Sequence, residues 1–94
     1  AMTKSWEIEL LQWVSEVEEI KLSTYFTRDM FVRNLPNDEK ERKTKNGTEY
    51  WYPNRVTRFM DKMIVWGLIN KKGFDTYKMM TSHIQDFTKS ANGK

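Results

Sequence analysis

The sequence predicts one mostly helical α+β domain: three core helices, a two-stranded hairpin and a C-terminal helix, with an insertion between helices two and three. Three observations predict it. Apolar residues recur at helical spacing in long segments at both ends of the first seventy positions. Glycine-punctuated turns separate short β-type runs after them. The chain has 94 residues, and at that size a chain buries roughly 60–65% of its unfolded surface, enough for one core and no second domain. The domain therefore spans 1–94, with 1–4 and 91–94 expected to fray and 37–52 forming the insertion.

The first helix is expected over residues 5–21. Trp6, Leu10, Trp13, Val14, Val17 and Ile20 fall on one face, Ser5 is a suitable N-cap, and Glu7 and Glu9 sit at the positive end of the helix dipole. Glutamates cover its outer face, which argues against phosphate contact. Leu22 to Phe26 reads as an extended link. Thr27 then caps a second helix over 28–35, with Met30, Phe31 and Leu35 inward and Arg28 and Arg33 outward, ended by Pro36-Asn37-Asp38.

Residues 37–52 admit a polar loop or a hairpin pairing Arg42–Lys45 with Thr48–Tyr52; Asn46-Gly47 is a type I′ signal and favours the hairpin. Trp51 and one neighbouring tyrosine are expected in the core. The third helix runs over 54–67, with Pro53 at its first turn, Val56, Phe59, Met60, Met63 and Ile64 buried, Arg55, Arg58 and Lys62 near the opposite face, and Gly67 as the αL stop. Leu68–Asn70 and Thr76–Met79 read as two strands around a turn at Lys71–Asp75. A last helix over 82–90, capped by Thr81 or Ser82, docks Ile84 and Phe87, and Ser90–Lys94 frays. No repeat is visible.

Charge is unevenly spread. Residues 1–20 carry one lysine against five glutamates, a net −4; the remainder carries fifteen basic and eight acidic side chains, a net +7. A basic surface favours a polyanionic partner, and ordinary solubilising charge is the competing explanation. With no cysteine there is no disulfide framework or thiolate zinc site, and a reducing, cytoplasmic setting fits. No apolar run approaches a membrane span and no signal-peptide pattern appears. Ala1-Met2 reads as a cloning remnant. His83 is the lone histidine, read as a surface or cap residue, so no metal or cofactor is expected. Met60, Met63, Met79 and Met80 read as core filler. Asn46-Gly47-Thr48 matches a glycosylation acceptor in a chain that nothing marks as secreted. No phosphate-cradling glycine loop, metalloprotease motif or nucleophile elbow is present, so an enzyme is not expected.

The element order, together with the stretch Asn54-Arg55-Val56-Thr57-Arg58-Phe59-Met60-Asp61-Lys62-Met63-Ile64-Val65-Trp66-Gly67-Leu68-Ile69, resembles the winged helix-turn-helix superfamily. That stretch is similar to the family's recognition helix running into the wing, and Gly73 and Tyr77 fit the wing itself. The resemblance covers about residues 5–80. It departs from the family in the sixteen-residue insertion, where a short turn usually joins the two helices.

The resemblance implies double-stranded DNA binding, as in a transcriptional regulator or phage-type accessory protein, cytoplasmic and nucleoid-associated. Asn54, Arg55, Thr57 and Arg58 would meet base edges in the major groove, since arginine pairs bidentately with guanine and asparagine with adenine. Lys62 would hold phosphate. Lys71 and Lys72, at the wing tip, would grip the backbone without reading sequence. Within the insertion Lys40, Arg42, Lys43 and Lys45 would add phosphate contacts, and Tyr50, Trp51 and Tyr52 stacking. Set against these readings, helix polar residues also simply solvate a face, and lysines on a hairpin also protect a sheet edge. The alternative function is a protein-interaction module, an adaptor or inhibitor of a host complex, using the insertion or the acidic first helix. Oligomeric state is left open.

Overall fold

The computed structural model describes residues 6–92, and the side chains of all of these except 42, 44 and 88–92. The expected cap at Ser5 and the expected fraying of 1–4 and of 93–94 lie outside the described residues. The elements are helices α1 (Trp6–Ser15), α2 (Glu18–Lys21), α3 (Arg28–Arg33) and α4 (Asn37–Lys40), strands β1 (Glu41–Thr44) and β2 (Gly47–Tyr50), helix α5 (Asn54–Val65), strands β3 (Ile69–Gly73) and β4 (Thr76–Met79), and helix α6 (Thr81–Asn92). The result is a compact α+β fold with two separate antiparallel hairpins.

The first helix departs from expectation in two ways. It breaks after Ser15, where Glu16 and Val17 donate to carbonyls only three residues back, and Val17 turns extended before α2 begins. Its buried face is also rotated. Ile8, Leu10, Leu11 and Val14 are buried, while Trp6 and Trp13 stay 47% and 50% exposed. The segment carries apolar side chains around much of its circumference, so periodicity admits two faces. The aliphatic one fits a close-packed interior with less bulk, and Trp6 finds the Arg55 guanidinium instead, 5.4 Å from its ring centroid.

The extended link survives as a single bridge. Phe26 and Tyr77 exchange two backbone hydrogen bonds, both 2.8 Å, which lays the link against β4 on the side away from β3. The Thr27 hydroxyl caps α3 as expected, accepting from the Met30 amide at 3.1 Å. The helix ends two residues early, at Arg33. Its arginines are not free cations. Arg28 pairs with Asp75 at 2.9 Å, and Arg33 pairs with Asp29 at 2.8 Å and with Glu19.

Glu19 gathers donors from two consecutive residues at the end of α3. Hydrogen bonds from Arg33, and then from Asn34 at 2.6 Å, lower its carboxyl from an ordinary 4.5 to about 2. A depressed carboxyl stabilises the fold fully above its unfolded pKa, and that contribution fades as pH falls through the folded value. The side-chain resonance of Glu19 should thus titrate near 2 by NMR, and Arg33→Ala should move the midpoint part of the way back to 4.5. A wild-type midpoint of 4 or above contradicts the contact.

Pro36 does not introduce a loop. It leads into the single turn α4, and the insertion then forms an ordered hairpin in the register Glu41↔Tyr50 to Thr44↔Gly47. Both strands lie before the positions expected for them. The tight turn is Lys45-Asn46, and Gly47 alone adopts positive φ, +124°; Asn46 does not, so the expected type I′ turn on Asn46-Gly47 is not formed. The hairpin is tied to the core by Trp51, whose indole N–H donates to the Glu39 carbonyl at 2.6 Å and whose own carbonyl accepts from the Val56 amide at 2.9 Å. Tyr50 and Tyr52 are both exposed, so neither is the expected core tyrosine. The Tyr52–Pro53 peptide bond is cis.

Helix α5 buries Val56, Phe59, Met60 and Met63, with Ile64 half-buried, and stops at Val65 before Gly67, whose φ of +78° supplies the αL turn. Residues 66 and 67 are therefore outside the helix expected to contain them. The core gathers Phe31, Trp51 and Phe59, with ring centroids 5.2–5.8 Å apart, beneath α1, α5 and the β3–β4 hairpin. Helix α6 is longer than expected at both ends. It closes the core with Ile84 and stacks Phe87 on Trp66 at 5.8 Å, and its backbone is helical through Asn92. His83 is exposed, 3.2 Å from the Gly67 carbonyl, consistent with a cap role. No described helix is long and apolar enough to cross a membrane.

Candidate nucleic-acid interface

Helix α5 turns about 100° per residue, which sorts its outward residues into three rows. Asn54, Arg58, Asp61 and Val65 form the crest, all exposed. Arg55 and Lys62 lie on the flank toward α1, and Thr57 on the flank toward α3 and the β3–β4 hairpin. Of the three basic residues expected near the face opposite the buried stripe, Arg58 and Lys62 are exposed, and Arg55 is not.

Arg55 is withdrawn from solvent. Its side chain is 10% exposed, its guanidinium lies 4.2 Å from the Trp51 ring centroid, and it pairs with Glu39 at 3.5 Å and Glu49 at 3.8 Å. The insertion supplies all three of those partners. Arg55 therefore works as a clamp between the insertion and α5, and is not placed to meet a base edge. Thr57 is committed as well. Its hydroxyl donates to the Pro53 carbonyl at 3.1 Å and accepts from Arg28 at 3.2 Å. Lys62 is partly committed, donating to both carboxylate oxygens of Glu7 at 2.8 and 2.9 Å beside the Trp66 ring. That pair is exposed and so contributes little to stability; a phosphate can compete for the lysine.

Asn54 and Arg58 remain available on the crest, where Asp61 offsets the charge of Arg58. Arg58 makes no ion pair among the described residues. It borders a shallow cavity of about 310 Å³ with Trp6, Glu7, Arg55, Phe59 and Lys62.

The hairpin is the more strongly basic feature. Lys71 and Lys72 do not occupy the turn expected at Lys71–Asp75. Both lie within β3, exposed, and the tight turn is Phe74-Asp75. The pairing is regular at Asn70↔Lys78 and Lys71↔Tyr77 and slips between Lys71 and Gly73, an irregularity that re-aims side chains next to a turn. Lys78 is exposed on β4. The hairpin's one acidic residue, Asp75, is consumed by Arg28, which donates to it from both Nε at 2.9 Å and its backbone amide at 3.1 Å. This hydrogen bond raises the Arg28 pKa further, and partial burial followed by the Asp29 and Asp75 carboxylates pushes the Tyr52 phenol up.

Arg28 is the functional-site residue that sequence reasoning missed. It joins Asp75 of the hairpin turn to Thr57 of α5, holding the turn beside the first turns of the helix. No local spacing announces a contact between residues 47 apart. On the insertion hairpin, Lys43 and Lys45 are exposed, Lys43 within 3.4 Å of the Thr48 hydroxyl, while the Arg42 side chain lies outside those described. Lys40, on α4, is exposed as well. Among the described residues no group of acidic or histidine side chains is placed to hold a metal ion. Comparison with family models, curated proteins and solved structures finds no match to this chain.

Proposed function

We propose that the chain is a winged-helix domain that binds double-stranded DNA chiefly through its hairpin, with a smaller contribution from the crest of α5. The Phe26–Tyr77 bridge supports the fold assignment, because it gives the link, β4 and β3 the side-by-side order of a wing on a helical core. The observation that carries the function is the Asp75–Arg28–Thr57 tie. It sets a hairpin bearing three exposed lysines against the start of α5, so that one duplex can meet both. Lys71 and Lys72 hold phosphates, Arg58 and Asn54 approach base edges, and Lys43 and Lys45 add charge from the insertion. Arg55 and Thr57 leave the contact set, and Lys62 joins it only by leaving Glu7.

An unbiased selection of duplexes at two salt concentrations, followed by fluorescence anisotropy, tests this. Binding should weaken steeply with salt as counterions are released. Lys71→Ala and Lys72→Ala should each weaken all duplexes alike and reduce the log–log salt slope by about one. Arg58→Ala should instead flatten sequence preference, losing about 1–3 kcal/mol of discrimination at one base pair. Failure of the wild-type domain to retain any duplex at low salt ends this reading.

A second reading has its own observation in favour. Trp6, Trp13, Leu22 and Val65 stay exposed, and large apolar side chains at a surface are typical of protein interfaces. Capture of a stable protein partner by a domain with no affinity for duplex DNA would favour an interaction module instead.

A further inference from the structure

Phe74 is 87% exposed, more so than any other large apolar side chain among the described residues, and it occupies the first position of the two-residue turn between β3 and β4. Turn positions ordinarily go to Gly, Asn, Asp, Ser or Pro, each for a backbone reason. A phenylalanine there contributes almost nothing to the core, and its apolar surface gains only when something covers it.

The stem that carries the ring is rigid. At its base Ile69 and Tyr77 are buried and the Phe26–Tyr77 hydrogen bonds fasten β4. At its tip Asp75 is bonded twice to Arg28, whose guanidinium also lies 5.8 Å from the Phe74 ring centroid. The surrounding charge is positive. Lys71 and Lys72 precede the ring on β3, and the adjacent carboxylate is already paired.

From this arrangement we propose that Phe74 is a wedge: it enters the minor groove of bound duplex DNA, partly unstacks one base step and bends the helix axis. The proposal rests on the DNA-binding reading above. An apolar side chain inserted between base steps gains burial, while lysines beside it meet the phosphates on the groove walls. The minor groove, about 6 Å wide, suits a protruding tip better than it suits a helix. With α5 against the major groove, a tip held beside its first turns faces the adjoining minor groove across the sugar–phosphate backbone.

The experiment uses a duplex of about 25 base pairs with one central TA step, a flexible step that unstacks easily, labelled at its ends with a donor and an acceptor dye. Wild-type protein at low salt should raise energy transfer as the duplex bends, within the roughly 20–90° that such wedges produce. Phe74→Ala should abolish the rise and weaken binding roughly tenfold, with the salt slope unchanged because no phosphate contact is lost. Phe74→Leu, which keeps an apolar wedge, should retain most of the bend. Both variants should melt with the wild type, since the ring is not in the core. If wild type and Phe74→Ala bind and bend the duplex equally, the wedge is wrong and the DNA reading stands. If the wild type binds no duplex, both fall; should Phe74→Ala then abolish capture of a protein partner, the exposed ring belongs to a protein interface.

Discussion

Trp51→Ala should remove about 3–5 kcal/mol of stability, the range for deleting a buried large aromatic. For a domain of this size that corresponds to a fall in Tm on the order of 20 °C, a large share of the 5–15 kcal/mol that small domains have in total. The indole is 1% exposed, packs edge-on against Phe31 at 5.8 Å and Phe59 at 5.4 Å, and lies beneath the Arg55 guanidinium. It also fastens α4 by donating to the Glu39 carbonyl. Alanine therefore opens a cavity at the centre and releases the insertion together. Trp51→Phe keeps most of the volume and loses the N–H donor, so it should cost less, about 1–2 kcal/mol. Thermal melts followed by far-ultraviolet circular dichroism measure both. A Tm within a few degrees of wild type for Trp51→Ala would mean that the insertion is not anchored through this residue.

The second large effect is expected at Arg55, and it separates two roles for one side chain. A base-reading arginine costs affinity and leaves stability intact when removed. The clamp described above predicts the reverse: Arg55→Ala should lose about 2–4 kcal/mol. This is somewhat less than breaking a fully buried pair, because Glu49 is partly exposed. The loss has two sources. Contact with the Trp51 and Trp6 rings disappears, and Glu39, whose Oε1 is cut off from solvent, loses a cation. Lysine should rescue poorly, since a compact ammonium cannot lie flat on an indole. Arg55→Met combined with Glu39→Gln should recover part of the loss by removing both charges. Denaturant melts give the stabilities. A stable Arg55→Ala domain with weakened duplex binding would return Arg55 to the contact surface and refute the clamp.

Several elements were legible in the residues because their determinants are local. Thr27 announces the start of α3 through its hydroxyl and Gly67 the end of α5 through its φ, and neither needs distant chain. The Val56–Phe59–Met60–Met63 stripe follows from helical period alone. The β3–β4 pairing also emerged, although its turn lies beyond the lysines that were expected to occupy it, since periodicity and turn chemistry constrain a hairpin's existence better than its register. The insertion hairpin shows the same limit. Asn46-Gly47 marks a reversal, and the structure places the two turn positions one residue earlier, with only the glycine in positive φ.

Which polar side chains face a partner could not be read in the same way. By local spacing Arg55 and Arg58 are equivalent: both are arginines near the start of an amphipathic helix. One is buried by its own domain and the other is exposed, and the difference comes from Glu39, Glu49 and Trp51 on a neighbouring segment. Trp6 and Ile8 present the same problem on α1, where composition offers two apolar faces and only the shape of the core selects one. The residues themselves determined a small helical domain with one amphipathic basic helix, a lysine-bearing hairpin and an acidic first helix. Tertiary structure alone decided which charges are cancelled within the molecule. An ion pair depends on the distance between groups far apart in the chain, and periodicity carries no information about that distance.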